Sequence, residues 1–218
     1  MSELSLSPRA ARTRSSLLAA GMELLVDRPV DAISIDEFVA AAGVAKGSFF
    51  NHFADKRQFA NVIANGIRIE VEGWVGQINA GVADPLERLA GGMIAAALYA
   101  LTHPQRTIVL ARSSSGMSIE DHPINAGLLN DLRDALEAGL IEIPSERAGV
   151  LYWLGVCQTL MGTIVDSEAD ETAARRLLVD MLTMALRGVA ASPDRVAAIA
   201  RSENIRSKFR QQSQLAVS

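Results

Sequence analysis

Residues 34–59 read SIDEFVAAAGVAKGSFFNHFADKRQF. Ser34 followed by Glu37 has the spacing of a capping box, in which the serine hydroxyl accepts from the Glu37 amide and the carboxylate reaches back to the Ser34 amide. A helix therefore starts at about Ile35. Ile35, Phe38, Val39 and Ala42 recur at the three-and-four spacing of a buried helical face, and Gly43 supplies the left-handed conformation that ends it. Val44 plugs the joint. Lys46 to Phe53 predicts a second short helix, with Phe49, Phe50 and Phe53 turned inward and Lys46, Ser48, Asn51 and His52 turned outward. Asp55 with Gln58 caps the next helix, expected from Lys56 to about Asn79, and puts Lys56 and Arg57 in its first turn. Two short helices around a Gly-centred turn, followed by a long one, have the layout of a helix-turn-helix.

That layout suits double-stranded DNA for a mechanical reason. A helix fits the major groove, where polar side chains near its N-terminus reach base edges while cations beside it hold phosphates. Gly47 has no side chain, so backbone can approach DNA closely there. Lys46 and Lys56 are suited to phosphate, Ser48 to phosphate or base, and Asn51 to bidentate pairing with adenine. Ser34 is first a helix cap, with a phosphate contact as an added role, and His52 lies on the outer side of the second helix. With Arg12 and Arg14 from the basic N-terminal stretch, the candidate DNA-binding set is Arg12, Arg14, Ser34, Lys46, Gly47, Ser48, Asn51, His52 and Lys56.

At these residues the sequence resembles the tetracycline-repressor (TetR) family. The family pattern has a Thr, an Ile-Ala pair, Ala-Gly-Val, a small residue, Lys-Gly, an aromatic helix ending in Tyr or His followed by Phe, and then a Lys. Ser34 stands at the Thr position, Phe38-Val39 at the Ile-Ala pair, and Ala42-Gly43-Val44 keeps the turn. Lys46-Gly47-Ser48 keeps the start of the recognition helix, His52-Phe53 its end, and Lys56 the lysine that opens the fourth helix. The match covers about Arg14 to Phe59. Three departures stand out: Phe50 replaces a Tyr whose hydroxyl contacts phosphate, Ala45 replaces a capping Ser or Thr, and Arg57 replaces an acidic residue. Phe50 is therefore read as core, and Asn51 as the residue that takes over the lost phosphate contact.

The rest of the chain, 218 residues in all, reads as further helices, with no strand signal and no internal repeat. Asp84-Pro85-Leu86-Glu87 launches a helix to about Thr102, and Pro104 opens another that ends near residues 113–118. Residues 121–139 form an amphipathic piece, Pro144 starts a long helix through Val165, Asp170 one through about Val189, and Ser192-Pro193 a shorter one. The fold class is all-α, divided as a DNA-binding domain over 1–55, a larger helical effector-binding and dimerisation domain over 56–191, and a short helix with a polar tail over 192–218. The tail carries five cations between Arg195 and Arg210 against Glu203 alone and is read as a solvated, frayed end.

Composition sets the outer limits. Apolar residues make up 49% of the chain with only 5% aromatic, which suits helices packed through Ala, Leu, Val and Met. The formal net charge is -4, yet residues 1–60 balance seven Lys and Arg against seven acids, so the acidic excess lies beyond them. A local basic face is enough for DNA. One cysteine, Cys157, excludes an intrachain disulfide framework and fits a reducing cytoplasm. The apolar run from Ala148 to Val165 is interrupted by Gln158, Thr159 and Thr163 and is read as a buried helix, so no membrane is expected. His52, His103 and His122 show no metal spacing with Cys157 or with paired acids, and no phosphate loop or nucleophile motif is present. No catalytic residue, metal or cofactor is assigned.

The resemblance implies more than the motif. The last two long helices, apolar around more than one face, are expected to pair with their twofold mates in a homodimer. A ligand pocket is expected in the central domain, with Met93, Tyr99, His103, Arg112, Trp153, Cys157, Gln158 and Met161 as candidate lining residues. The expectation is a ligand-responsive transcriptional regulator, in the first instance a repressor, that binds a palindromic operator and is released by a small, largely hydrophobic effector. The alternatives are an activator or co-regulator on the same scaffold, and an all-helical ligand-binding protein or enzyme with a relict helix-turn-helix.

Overall fold

The structure is a computed structural model that describes residues 7–112 and 125–201. The described residues are helical with no strand, which gives the all-α fold that the sequence predicts. In chain order the helices are α1 (Pro8–Asp27), α2 (Ile35–Ala41), α3 (Lys46–Phe50), α4 (Lys56–Ile78), α5 (Pro85–Thr102), α6 (Pro104–Arg112), α7 (Ala126–Glu137), α8 (Glu146–Asp166), α9 (Glu171–Gly188) and α10 (Pro193–Arg201). The expected helix end near residues 113–118, the first residues of the 121–139 piece and the tail after Arg201 lie outside the described residues.

The described residues form two compact units. One runs to Ile67 and takes in the segment from Ile108; the other is built from Arg68–Thr107 and the described residues after 124. The division falls within α4 and not at its start, where the sequence reading placed it. The reason is packing: Phe59, Ala60, Ile63, Ala64 and Ile67, all on α4, are buried. Phe59 meets Phe38 of α2 edge-on at 4.9 Å, and lies 5.3 Å from Phe49 and 4.7 Å from Phe53. The first unit cannot close without that ring. Gly21 on α1 completes the seat, since a Cβ there would run into the Phe59 ring and stand 2.9 Å from Ile63.

In the second unit α5 is the central element, buried along most of its length from Leu86 to Ala100 and touching α7, α8 and α9. Its alanines let neighbours approach closely. Asp84 caps it, accepting from the Leu86 and Glu87 amides at 2.9 and 3.1 Å, and its second carboxylate oxygen accepts from Arg195 of α10. The short terminal helix therefore packs with this unit, against α9, and is not a separate appendage. Arg88 on α5 pairs with Asp131 at 2.5 Å and with Asp134, both on α7, at a site where Arg88 and Asp131 keep under a fifth of their side-chain exposure.

Two glycines in the described helices make opposite predictions. Gly21→Ala adds helix propensity but forces the buried Phe59 ring aside, and overpacking of this kind costs about 1–3 kcal/mol, enough to outweigh a gain of about 1 kcal/mol. Gly66 on α4 is exposed with nothing within 4 Å of an added Cβ, so Gly66→Ala keeps its gain of about 0.5–1 kcal/mol. Chemical denaturation of the two variants should show stability moving in opposite directions.

Candidate functional site

The turn between α2 and α3 is fixed by backbone bonds as much as by side chains. Ser34 and Glu37 form the reciprocal cap: the Glu37 amide donates to Ser34 Oγ at 3.2 Å and the Ser34 amide to Glu37 Oε2 at 2.8 Å. The Ser34 backbone bond and the Arg28 guanidinium, 2.7 Å away, hold the Glu37 carboxyl down to about 2. At the other end Gly43 has φ +65, its amide donates to Ala40 O and the Val44 amide donates to Val39 O, which closes α2 in a Schellman motif. Chain direction reverses there.

α3 is shorter than the sequence predicts. It ends at Phe50 because the His52 amide bonds Phe49 O, three residues back, which tightens the last turn. Ala45 gives α3 no side-chain cap. Phe49 and Phe53 are buried at 0% and 2% exposure, as their spacing predicts, but Phe50 is 52% exposed and is not core. The spacing explains the correction: on so short a helix Phe49 and Phe53, four residues apart, take the single inward direction, and Phe50 shares a face with Lys46 and Gly47. Its ring stands edge-on to Phe49 at 5.6 Å and an interplanar angle of 81°.

The candidate DNA-binding residues fall into three groups. Gly47 and Asn51 are exposed, and nothing lies within 4 Å of a Cβ added at Gly47, so no described residue requires glycine there. Lys46, Lys56, Arg14 and Ser34 already have partners: Lys46 pairs with Asp36 at 2.9 Å, and Lys56 Nζ donates to the Asp31 and Ile33 carbonyls at 2.9 and 3.1 Å. Arg14 lies over the Phe53 ring at 5.7 Å, and Ser34 is committed to its cap. Ser48 and His52 are half-buried beside them, and Arg12 is exposed on α1. Arg57 in turn stands 3.5 Å from Asp31.

The candidate ligand residues are not all brought together. Met93, Tyr99, Trp153 and Met161 are buried in the second unit and Cys157 is half-buried there, whereas Gln158 is exposed. Arg112 belongs to the first unit, where its guanidinium donates to the Leu25 and Val26 carbonyls at the end of α1. It closes a helix end. Tyr99 stacks on His103 at 4.6 Å with Trp74 edge-on to both, and its hydroxyl donates to Glu70 at 2.7 Å; Arg106 holds the other Glu70 oxygen at 2.6 Å. Burial first, then the charge of Arg106, keeps the His103 pKa low.

Two groups here escape sequence reasoning or gain meaning only in the fold. Trp153 Nε1 is fully buried with no acceptor among the described residues. Glu72 on α4, one turn before Val75 and two residues beyond Glu70, is half-buried with its carboxyl pushed up to about 7, by burial first and then by the charge of Asp131. Burial and the charge of Glu72 in turn push the Cys157 thiol up to about 12, so it stays protonated at neutral pH. Glu70 and Glu72 look alike in the sequence, and only the fold buries one of them. By length and composition α8 is apolar enough to cross a membrane, but it is the one such helix among the described residues and a third of its most apolar window is buried in the protein.

An all-helical protein with a helix-turn-helix at its N-terminus is thus defined. Residues 17–63 match the family described as bacterial regulatory proteins, tetR family. Over those residues the chain is similar to that family. It is 43% identical over 47 residues to the HTH-type transcriptional regulator YwcC of Bacillus subtilis, covering 22% of this chain and 21% of that one. It is 27% identical over 100 residues to the HTH-type transcriptional repressor KstR2 of Mycolicibacterium smegmatis, covering 46% and 48%. The chain thus matches between about a fifth and a half of the length of these curated relatives. In fold it is similar to the crystal structure of RolR in complex with resorcinol, with a TM-score of 0.62 at 20% identity over 90% of this chain and 96% of that one.

Glu72 gives the site a pH signature. Its pKa lies above the ordinary 4.5, so the folded state is favoured while the carboxyl is neutral and loses stability as pH rises from about 4.5 to about 7. Glu72→Gln should therefore raise the thermal midpoint above pH 7 by the equivalent of about 1 kcal/mol, discounted for partial solvent access, and leave it unchanged below pH 4.5. Thermal melts across that range check both limits.

Proposed function

We propose that the protein is a transcriptional repressor of the cytoplasm that binds a palindromic operator as a homodimer and leaves it when a small, largely hydrophobic effector binds the second unit. The observation that carries the DNA-binding part is Gly47: it is exposed, nothing in the chain crowds it, and yet it interrupts a five-residue helix that would gain from a side chain. At the start of an exposed helix that follows a turn, such a glycine lets an outside surface come close to the backbone. DNA is that partner. Gly47 and Asn51 meet it directly, Lys46 exchanges Asp36 for a phosphate, and Ser48, His52, Ser34, Lys56, Arg12 and Arg14 border the contact. Because each cation beside α3 has an acidic or carbonyl partner, affinity for arbitrary DNA is modest and falls with salt.

Dimerisation is supported by α8 and α9. Leu151 and Tyr152 on α8 and Met184 on α9 are exposed at 39%, 38% and 71%, and a twofold mate would cover them. Two joined recognition helices then reach two half-sites, which one short helix-turn-helix cannot hold alone. The effector reading rests on the buried Met93, Tyr99, Trp153 and Met161 and the half-buried Cys157 of the second unit, on the Trp153 N–H, which has no acceptor among the described residues, and on Glu72, whose carboxyl is neutral below about pH 7. Such a set accepts a small apolar molecule bearing an oxygen acceptor. RolR, similar in fold, was crystallised with resorcinol.

Operator selection from random DNA tests the whole reading, since the recovered site shows palindromy and half-site spacing together. Gly47→Ala should then fold as stably as the parent or better and bind the selected operator at least about tenfold more weakly. If it binds equally well, DNA does not approach at Gly47. Met184→Glu should shift the sedimenting species toward monomer and weaken operator binding with it, while an unchanged dimer would place the interface elsewhere.

A further inference from the structure

We propose that Phe50 reads the 5-methyl group of a thymine in each operator half-site, which makes it a specificity-determining residue of the recognition surface. The inference rests on the DNA-binding reading above and adds to it which base chemistry the surface prefers.

The orientation of the Phe50 ring is set by its neighbours. α3 carries two adjacent phenylalanines, and the buried Phe49 already fills the inward direction, with Phe53 below it. Phe50 contributes little to that core. It is 52% exposed, and the edge-on contact with Phe49 fixes its orientation while leaving the ring open to the outside. Lys46 and Gly47 lie four and three residues before it, so all three occupy one helix face. The open space at Gly47 is therefore next to the Phe50 ring, and any backbone approach that Gly47 permits also brings the ring against the same surface.

Chemistry then limits what the ring can touch. A phenyl ring neither donates nor accepts a hydrogen bond, so it holds no phosphate and reads no polar base edge. The thymine C5-methyl is the apolar group that the major groove displays, and contact with it distinguishes thymine from every other base. Charge on this face points the same way. Lys46 is paired with Asp36, Arg57 with Asp31 and Arg28 with Glu37, so these cations are balanced and, on the face that Phe50 shares with Lys46 and Gly47, an apolar contact adds to the discrimination that Asn51 supplies.

The test uses the full chain and its selected operator, with each thymine replaced in turn by deoxyuridine, which removes one methyl and keeps every hydrogen-bonding group. One position per half-site should weaken binding by about fourfold, the value of one buried methyl. Phe50→Ala should bind the parent operator more weakly and show no difference between thymine and deoxyuridine at that position. Phe50→Ala keeping both the parent affinity and the parent thymine preference overturns the inference, as does a wild-type protein indifferent to every deoxyuridine. In those two cases operator binding itself persists, so the DNA-binding reading stands and only the role of Phe50 falls. Failure to recover any operator overturns both.

Discussion

The helix-turn-helix depends on one ring. Phe59 sits at the start of α4 yet contacts Phe38 of α2, Phe49 near the end of α3 and Phe53 just beyond it, while Gly21 of α1 gives it room. α3 has five residues and no side-chain cap, and a helix that short has no stability of its own in water. Its position is set by burying Phe49 and Phe53 against Phe59. Lys56, whose ammonium ties the carbonyls of Asp31 and Ile33 to the first turn of α4, fixes the same junction from the outside. A lysine in that place is a structural clamp before it is a phosphate ligand.

The two units distribute polar groups in opposite ways. In the first, nearly every charged side chain near α3 meets a partner at the surface, so the recognition face is ordered but electrically balanced. In the second, polar groups lie within helical packing: Arg88 with Asp131, Tyr99 with Glu70, the unpartnered Trp153 N–H, and Glu72 near the charge of Asp131. Burying such groups is costly unless they are satisfied. The Arg88 pair is satisfied within the chain. Trp153 has no acceptor among the described residues and Glu72 carries a raised pKa, and both features fit the effector site proposed above.

Much of the first unit was legible in order along the chain. The Ser34 and Glu37 cap, the left-handed Gly43 and the Asp55 cap are local features, set by residues three or four apart, and they stand where their spacing puts them. Phe50 was not legible, because a run of two phenylalanines gives no sign of which faces inward until the length of α3 and the place of Phe59 are known. Arg112 was misplaced for a similar reason. Its position on an apolar helix suggests a pocket, but the helix carries it back to the first unit, where the carbonyls at the end of α1 claim it.

The sequence by itself therefore determined the all-helical class, the caps and the turn, because each rests on interactions between near neighbours in the chain. The tertiary structure decided where the first unit ends along α4, which of two adjacent rings is exposed, which of two glutamates is buried, and which cations already have partners. Those outcomes come from side chains far apart in sequence competing for the same interior space, and no local pattern records who wins.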